Sequence, residues 1–80
     1  MLNIYPNPTQ GVFTLKLGDH GLGDISMIIL DNKGAVVHQQ TIGENNDEVD
    51  VDLSSNPAGL YMLRLQAGDL KVDRKITLVK

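Results

Sequence analysis

Eight glycines, at positions 11, 18, 21, 23, 34, 43, 59 and 68, cut a chain of 80 residues into short runs rich in Val, Ile, Leu and Thr. Glycine weakens the interior of helices and strands and suits turns, so punctuation this dense limits how long any regular element can be. No stretch of about 12 residues carries apolar side chains at helical spacing without an interrupting Gly or Pro, which leaves no good helix. Runs of about 5–8 residues between turn signals are the pattern of an all-β sandwich or barrel.

Seven strands are expected. The first, Leu2 to Tyr5, stops because Pro6 and Pro8 cannot donate to a ladder and hold Tyr5 and Asn7 extended, a stiff corner. The second, Gly11 to Leu17, alternates Phe13, Leu15 and Leu17 against Val12, Thr14 and Lys16. In the third, Asp24 to Leu30, Ile25, Met27 and Ile29 turn inward, and Ile28 with Leu30 is left as a small apolar patch outside. Asp31-Asn32-Lys33-Gly34 closes a hairpin with Gly34 left-handed. Ala35 to Ile42 is the fourth strand. The fifth, Glu48 to Leu53, sets Val49, Val51 and Leu53 against Asp50 and Asp52.

A turn from Ser54 to Gly59 leads to the sixth strand, Leu60 to Ala67. A two-residue turn then leads to the last, Leu70 to Val79, with Leu70, Val72, Ile76 and Leu78 on one face. Arg74 interrupts that face, which calls for a bulge or an edge position. The expected architecture is an antiparallel β-sandwich of about seven strands spanning residues 1–80 as a single domain. Its core is expected from Phe13, Leu15, Ile25, Met27, Ile29, Val49, Val51, Leu53, Tyr61, Leu63 and Leu65.

The chain has no cysteine, so disulfides and thiolate metal sites are excluded. Stability must come from apolar packing and strand pairing, which in a domain near 70–80 residues supplies only about 3–5 kcal/mol. Seven Lys and Arg against ten Asp and Glu give a net charge of −3, which argues against non-specific binding to nucleic acid or anionic lipid. No run approaches the ~20 apolar residues needed to span a bilayer. No N-terminal leader pattern stands at the start.

Catalytic and metal chemistry finds little support. His20 and His38 have no second ligand at a suitable spacing, and solvated side chains are expected for both. Taking Asp50 as the first position of a calcium loop puts Asp52, Ser54 and Asn56 in register. The required Gly is then Ser55 and the closing Glu is Tyr61, so the loop fails at both diagnostic places. Ser54 and Ser55 lie in no nucleophile elbow, and Gly21-Leu22-Gly23 lacks a third glycine and a following helix. Asn7-Pro8-Thr9 is disqualified as a glycosylation site by its proline. No cofactor, metal or catalytic residue is expected. Of the three aromatic residues, Phe13 belongs to the core. Tyr61, two residues after a turn glycine, should fold inward and bond its hydroxyl to backbone. That leaves little platform for a sugar. One asymmetry stands out: Arg64, Lys71, Arg74, Lys75 and Lys80 all lie in the last hairpin. They read either as gatekeepers of an edge strand or as a basic ribbon offered to a partner.

Taken together, Asn3-Ile4-Tyr5-Pro6-Asn7-Pro8 with Gly11 soon after, Asp31-Asn32-Lys33-Gly34, Gly59-Leu60-Tyr61 and Lys75-Ile76-Thr77-Leu78-Val79-Lys80 resemble the C-terminal sorting domain of type IX secretion substrates. The resemblance covers nearly the whole chain. It implies an immunoglobulin-like sandwich at the far C-terminus of a larger exported protein of Bacteroidetes, with Met1 a start residue added to an excised domain. It further implies that the cargo crosses the periplasm, that this domain engages the outer-membrane translocation machinery, and that a sortase commonly removes it outside the cell. Tyr5, Pro6, Asn7 and Pro8 match the family's opening motif, Gly34 its hairpin glycine, Gly59 and Tyr61 its Gly-x-Tyr motif, and Lys75 with Lys80 its basic end.

Partner recognition is therefore expected at Lys75, Lys80, Ile28 and Leu30, with a free C-terminus near Lys80. Self-association stays open. A non-catalytic adhesive, spacer or carbohydrate-binding sandwich is the competing reading, and a small hydrolase ranks last.

Overall fold

The computed structural model describes residues 2–18 and 20–80. Met1, taken from the sequence as an added start residue, lies outside them. The chain forms β1 (Asn3–Tyr5), β2 (Val12–Lys16), β3 (Ile25–Leu30), β4 (Val36–Ile42), β5 (Glu48–Asp52), β6 (Gly59–Ala67) and β7 (Leu70–Leu78), with no helix among the described residues. These are the seven expected strands, each with ends within one residue of the sequence reading. One sheet has the order β1-β2-β5 and the other β4-β3-β6-β7, all neighbours antiparallel.

Period-two alternation is what packs the two layers. Phe13, Leu15 and Val51 from the smaller sheet meet Ile25, Met27, Ile29, Ile42, Tyr61, Leu63, Leu65, Ile76 and Leu78 from the larger, all buried. Leu17 and Leu53, just beyond their strands, are buried with them. Ten of the eleven expected core residues are buried; Val49 is the correction, being only half-buried. It is the first inward residue of β5, preceded by the exposed residues 44–47, whereas Val51 on the same strand lies between Val49 and the buried Leu53. Edge position explains β4, whose inward residues His38 and Gln40 stay half-buried and bond to each other, Nε2 to Oε1 at 2.7 Å. Solvated histidines were expected; His38 instead has a protein partner, and His20 is half-buried with Nδ1 accepting the Leu22 N–H.

The single register shift in the larger sheet falls between Ile29 and Leu30, where Val36, Val37 and His38 oppose two residues and Val37 turns onto the core. No shift occurs at Arg74. The β6–β7 pairing runs unbroken from Gly59↔Leu78 to Ala67↔Leu70. Arg74 is exposed because β7 is an edge strand, and at its far end Leu70, expected on the apolar face, is 48% exposed.

Candidate functional site

Pro6 and Pro8 follow β1, both preceded by cis peptide bonds, and the chain turns a corner out of the smaller sheet there. That corner reaches across to the free edge of β7. The Asn7 side-chain Nδ2 donates to the Lys75 carbonyl at 2.8 Å, and the Thr77 N–H donates to Asn7 Oδ1 at 3.0 Å. A primary amide offers one donor and one acceptor side by side, so Asn7 pairs with the edge as a strand residue would. The backbone continues the ladder. Thr9 N–H donates to the Thr77 carbonyl at 2.9 Å and Val79 N–H donates to the Thr9 carbonyl at 2.8 Å, a short parallel bridge.

Thr9, 1% exposed, is the one buried polar residue among those described. Its hydroxyl donates to the Val12 carbonyl at 2.8 Å and accepts the Gly11 N–H at 3.1 Å, which satisfies it. The opening motif is thus a clasp between the two sheets, and it covers the stretch of β7 that carries Lys75. Removing the clasp's side chain should be felt there. We expect Asn7→Ala to cost about 1–2 kcal/mol, two hydrogen bonds at a solvent-accessible site. Amide hydrogen exchange at Thr77 should quicken more than at Leu63, and equal protection in both proteins would refute the clasp.

The remaining motif residues have local roles. Gly34 adopts φ +86° behind a turn in which Asp31 Oδ1 accepts the N–H groups of Lys33 and Ala35, each at 2.9 Å. These two backbone donors, Ala35 first, hold the Asp31 carboxyl below the usual carboxylate range. Tyr61 is buried as expected, and its hydroxyl donates to the Pro57 carbonyl. Tyr5, the exposed end of β1, makes no hydrogen bond through its ring.

The sequence-derived recognition residues fall in two places. Ile28 and Leu30 point to the outer face of the larger sheet and are half-buried, as is Met62 beside them on β6. Lys75 is exposed on that same face, paired with Met62 across β6 and β7. Lys80 is elsewhere, its Nζ donating to the Ser54 carbonyl at 2.7 Å beside the clasp.

The basic hairpin is less uniform than its composition. Arg64 forms a two-pronged ion pair with Asp73, Nε to Oδ1 at 2.8 Å and Nη2 to Oδ2 at 3.2 Å. The hydrogen bonds from Arg64 hold the Asp73 carboxyl below its usual range and push the guanidinium further up. Lys71, Arg74, Lys75 and Lys80 remain outside that pair.

The acids of β5 lie on the outer face of the opposite sheet. There Asp50 accepts the Thr14 hydroxyl at 2.8 Å and Asp52 accepts the Ser54 N–H at 2.8 Å. The Ser54 hydroxyl and N–H hold the Asp52 carboxyl low. The role of Asn7, the burial of Thr9 and the outward Met62 were not foreseen. Only the doubled X-Pro around Asn7 could have signalled the first.

The chain matches the family of secretion system C-terminal sorting domains over residues 3–79. Among solved structures, it resembles a DUF3244 family protein with an immunoglobulin-like β-sandwich fold from Bacteroides vulgatus ATCC 8482, with a TM-score of 0.81 at 21% identity, covering 98% of this chain and 83% of that one. At that identity the likeness speaks for the fold alone, an immunoglobulin-like sandwich. No curated protein matches the chain.

Proposed function

The chain belongs to the family of secretion system C-terminal sorting domains, and from that premise we propose that its folded surface, held in shape by the clasp, is what the translocation machinery reads. The domain is a sorting signal for type IX secretion, the C-terminal tail of a cargo that is exported across the outer membrane to the medium or the cell surface. Our reading adds four points. Residues 1–80 act as one unit cut from a larger protein. The unit recognises rather than catalyses. Lys75, Lys80, Ile28 and Leu30 are its recognition residues, and a sortase removes the unit after export.

The observation that carries the reading is that the family match extends from the clasp to the end of β7, the two segments that bond to each other. The deciding experiment fuses the chain behind a periplasm-directed reporter in a cell with type IX machinery. Reporter outside the cell supports it, and reporter retained in the periplasm overturns it.

The basic end can be tested without disturbing the clasp. Lys75 lends Asn7 its backbone carbonyl, not its ammonium, and Lys80 makes one exposed bond. Lys75→Glu with Lys80→Glu should therefore shift stability by no more than ~0.5 kcal/mol. A partner that reads positive charge would meet like charge, so the folded double mutant should accumulate in the periplasm. Normal export with an unchanged melting temperature would assign both lysines to edge protection instead.

A further inference from the structure

Strand register puts four residues in one line across the outer face of the larger sheet: Val36 opposite Leu30, Leu30 opposite Met62, Met62 opposite Lys75. Ile28 sits two residues up the same face from Leu30, and Leu60 two residues from Met62. Val36 is 53% exposed and Leu60 49%, and the other three apolar residues are half-buried. The result is a contiguous apolar strip on a face that an isolated sandwich turns to water. A contiguous apolar patch rimmed by polar residues is the kind of surface that a protein partner covers. The outer face of the smaller sheet is more polar: Thr14, Lys16, Glu48, Asp50 and Asp52 point outward there, with Tyr5 and Val12 as its exposed apolar residues.

Charge separates the two faces as well. Arg64, Lys71 and Lys75 against Asp73 give the strip's face a net charge of +2, opposite in sign to the whole chain at −3. Asp73 is already committed to Arg64, so Lys71 and Lys75 face water with no free carboxylate on their own strand faces. On the opposite face, Glu48, Asp50 and Asp52 against Lys16 give −2.

We propose that the strip of Ile28, Leu30, Val36, Leu60 and Met62, bordered by Lys71 and Lys75, is the surface on which the domain docks to a protein of the secretion machinery. The inference rests on the sorting function proposed above and specifies its partner. That partner presents an apolar ridge flanked by carboxylates, because the apolar side chains need a dry contact and the two lysines need anions. Lys80, tethered at Ser54 beside the clasp, lies apart from the strip, and its part in recognition is tested separately by the Lys75 and Lys80 charge reversal above.

The test uses the same reporter fusion. Val36→Ser with Leu60→Ser changes two half-exposed side chains, and Met62→Glu places a charge in the middle of the strip. Glu48→Lys on the opposite face is the control. Each isolated domain is checked by its melting temperature and by its mass in solution. Folded strip variants should lose export about tenfold or more, while Glu48→Lys exports normally.

If Met62→Glu fails to fold, the Val36 and Leu60 pair decides alone. Wild-type fusion exported together with equal export of the folded strip variants overturns the strip and leaves the sorting function standing. A wild-type fusion that is itself retained overturns the sorting function. If the wild-type domain is a dimer that the strip variants convert to monomers without loss of export, the occupant is a second copy and the proposal falls.

Discussion

Leu63→Ala is expected to cost about 2–5 kcal/mol, enough to unfold much of a domain this small. Leu63 is fully buried at the middle of β6, the strand that pairs with both β3 and β7. Its side chain enters the space between the sheets, where the neighbours are anchored by strand pairing on two sides and cannot close around a void. Urea denaturation gives the measurement. A shifted midpoint with unchanged slope is the expected form, and a loss under about 1 kcal/mol would mean that the core relaxes more freely than its layered packing allows.

The second large effect is expected at a residue with no side chain. Gly11 has φ +153°, and a Cβ built on it would lie 2.9 Å from the Cβ and 3.2 Å from the Cα of Ser54. Its backbone has no freedom to withdraw, because the N–H donates to Thr9 Oγ1 at 3.1 Å and the carbonyl accepts the Leu53 N–H at 2.8 Å. Gly11→Ala combines backbone strain with a collision against another segment's backbone, for about 2–5 kcal/mol in all. Gly59 separates the two causes. It has φ +155° with open space where a Cβ would go, so Gly59→Ala should show the strain alone, about 1–3 kcal/mol. Equal melting temperatures for the two variants would show that Ser54 gives way.

Strand positions were legible from sequence because β2, β5 and β6 alternate and the runs end at Gly, Pro or a polar turn. Which strands are edges, and where the core ends along a strand, were not. Val49 alternates as cleanly as Val51 on the same strand but stands next to the exposed loop that precedes it, and the broken alternation at Arg74 marks an edge where a bulge was equally allowed. The actual bulge, opposite Ile29 and Leu30, leaves no trace because Val36 and Val37 are both apolar.

The site divides the same way. Tyr61 could be read from its distance to Gly59, a local relation. The clasp joins Asn7 to Lys75 and Thr77, residues 68 and 70 positions away, and no local pattern encodes such a pairing. Leu30, Met62 and Lys75 were visible one by one, but their alignment needed the register of three strands.

The clasp has a consequence for when the signal becomes legible. Chains are made from the N-terminus, so Asn7 and Thr9 exist long before Lys75, Thr77 and Val79, the groups they bond. A chain interrupted before Thr77 has no edge for Asn7 to hold, and it lacks Leu78 as well, which is buried in the core. The address is therefore finished only when the protein carrying it is finished. A chain released before Thr77 carries neither the completed clasp nor the full core of the sandwich.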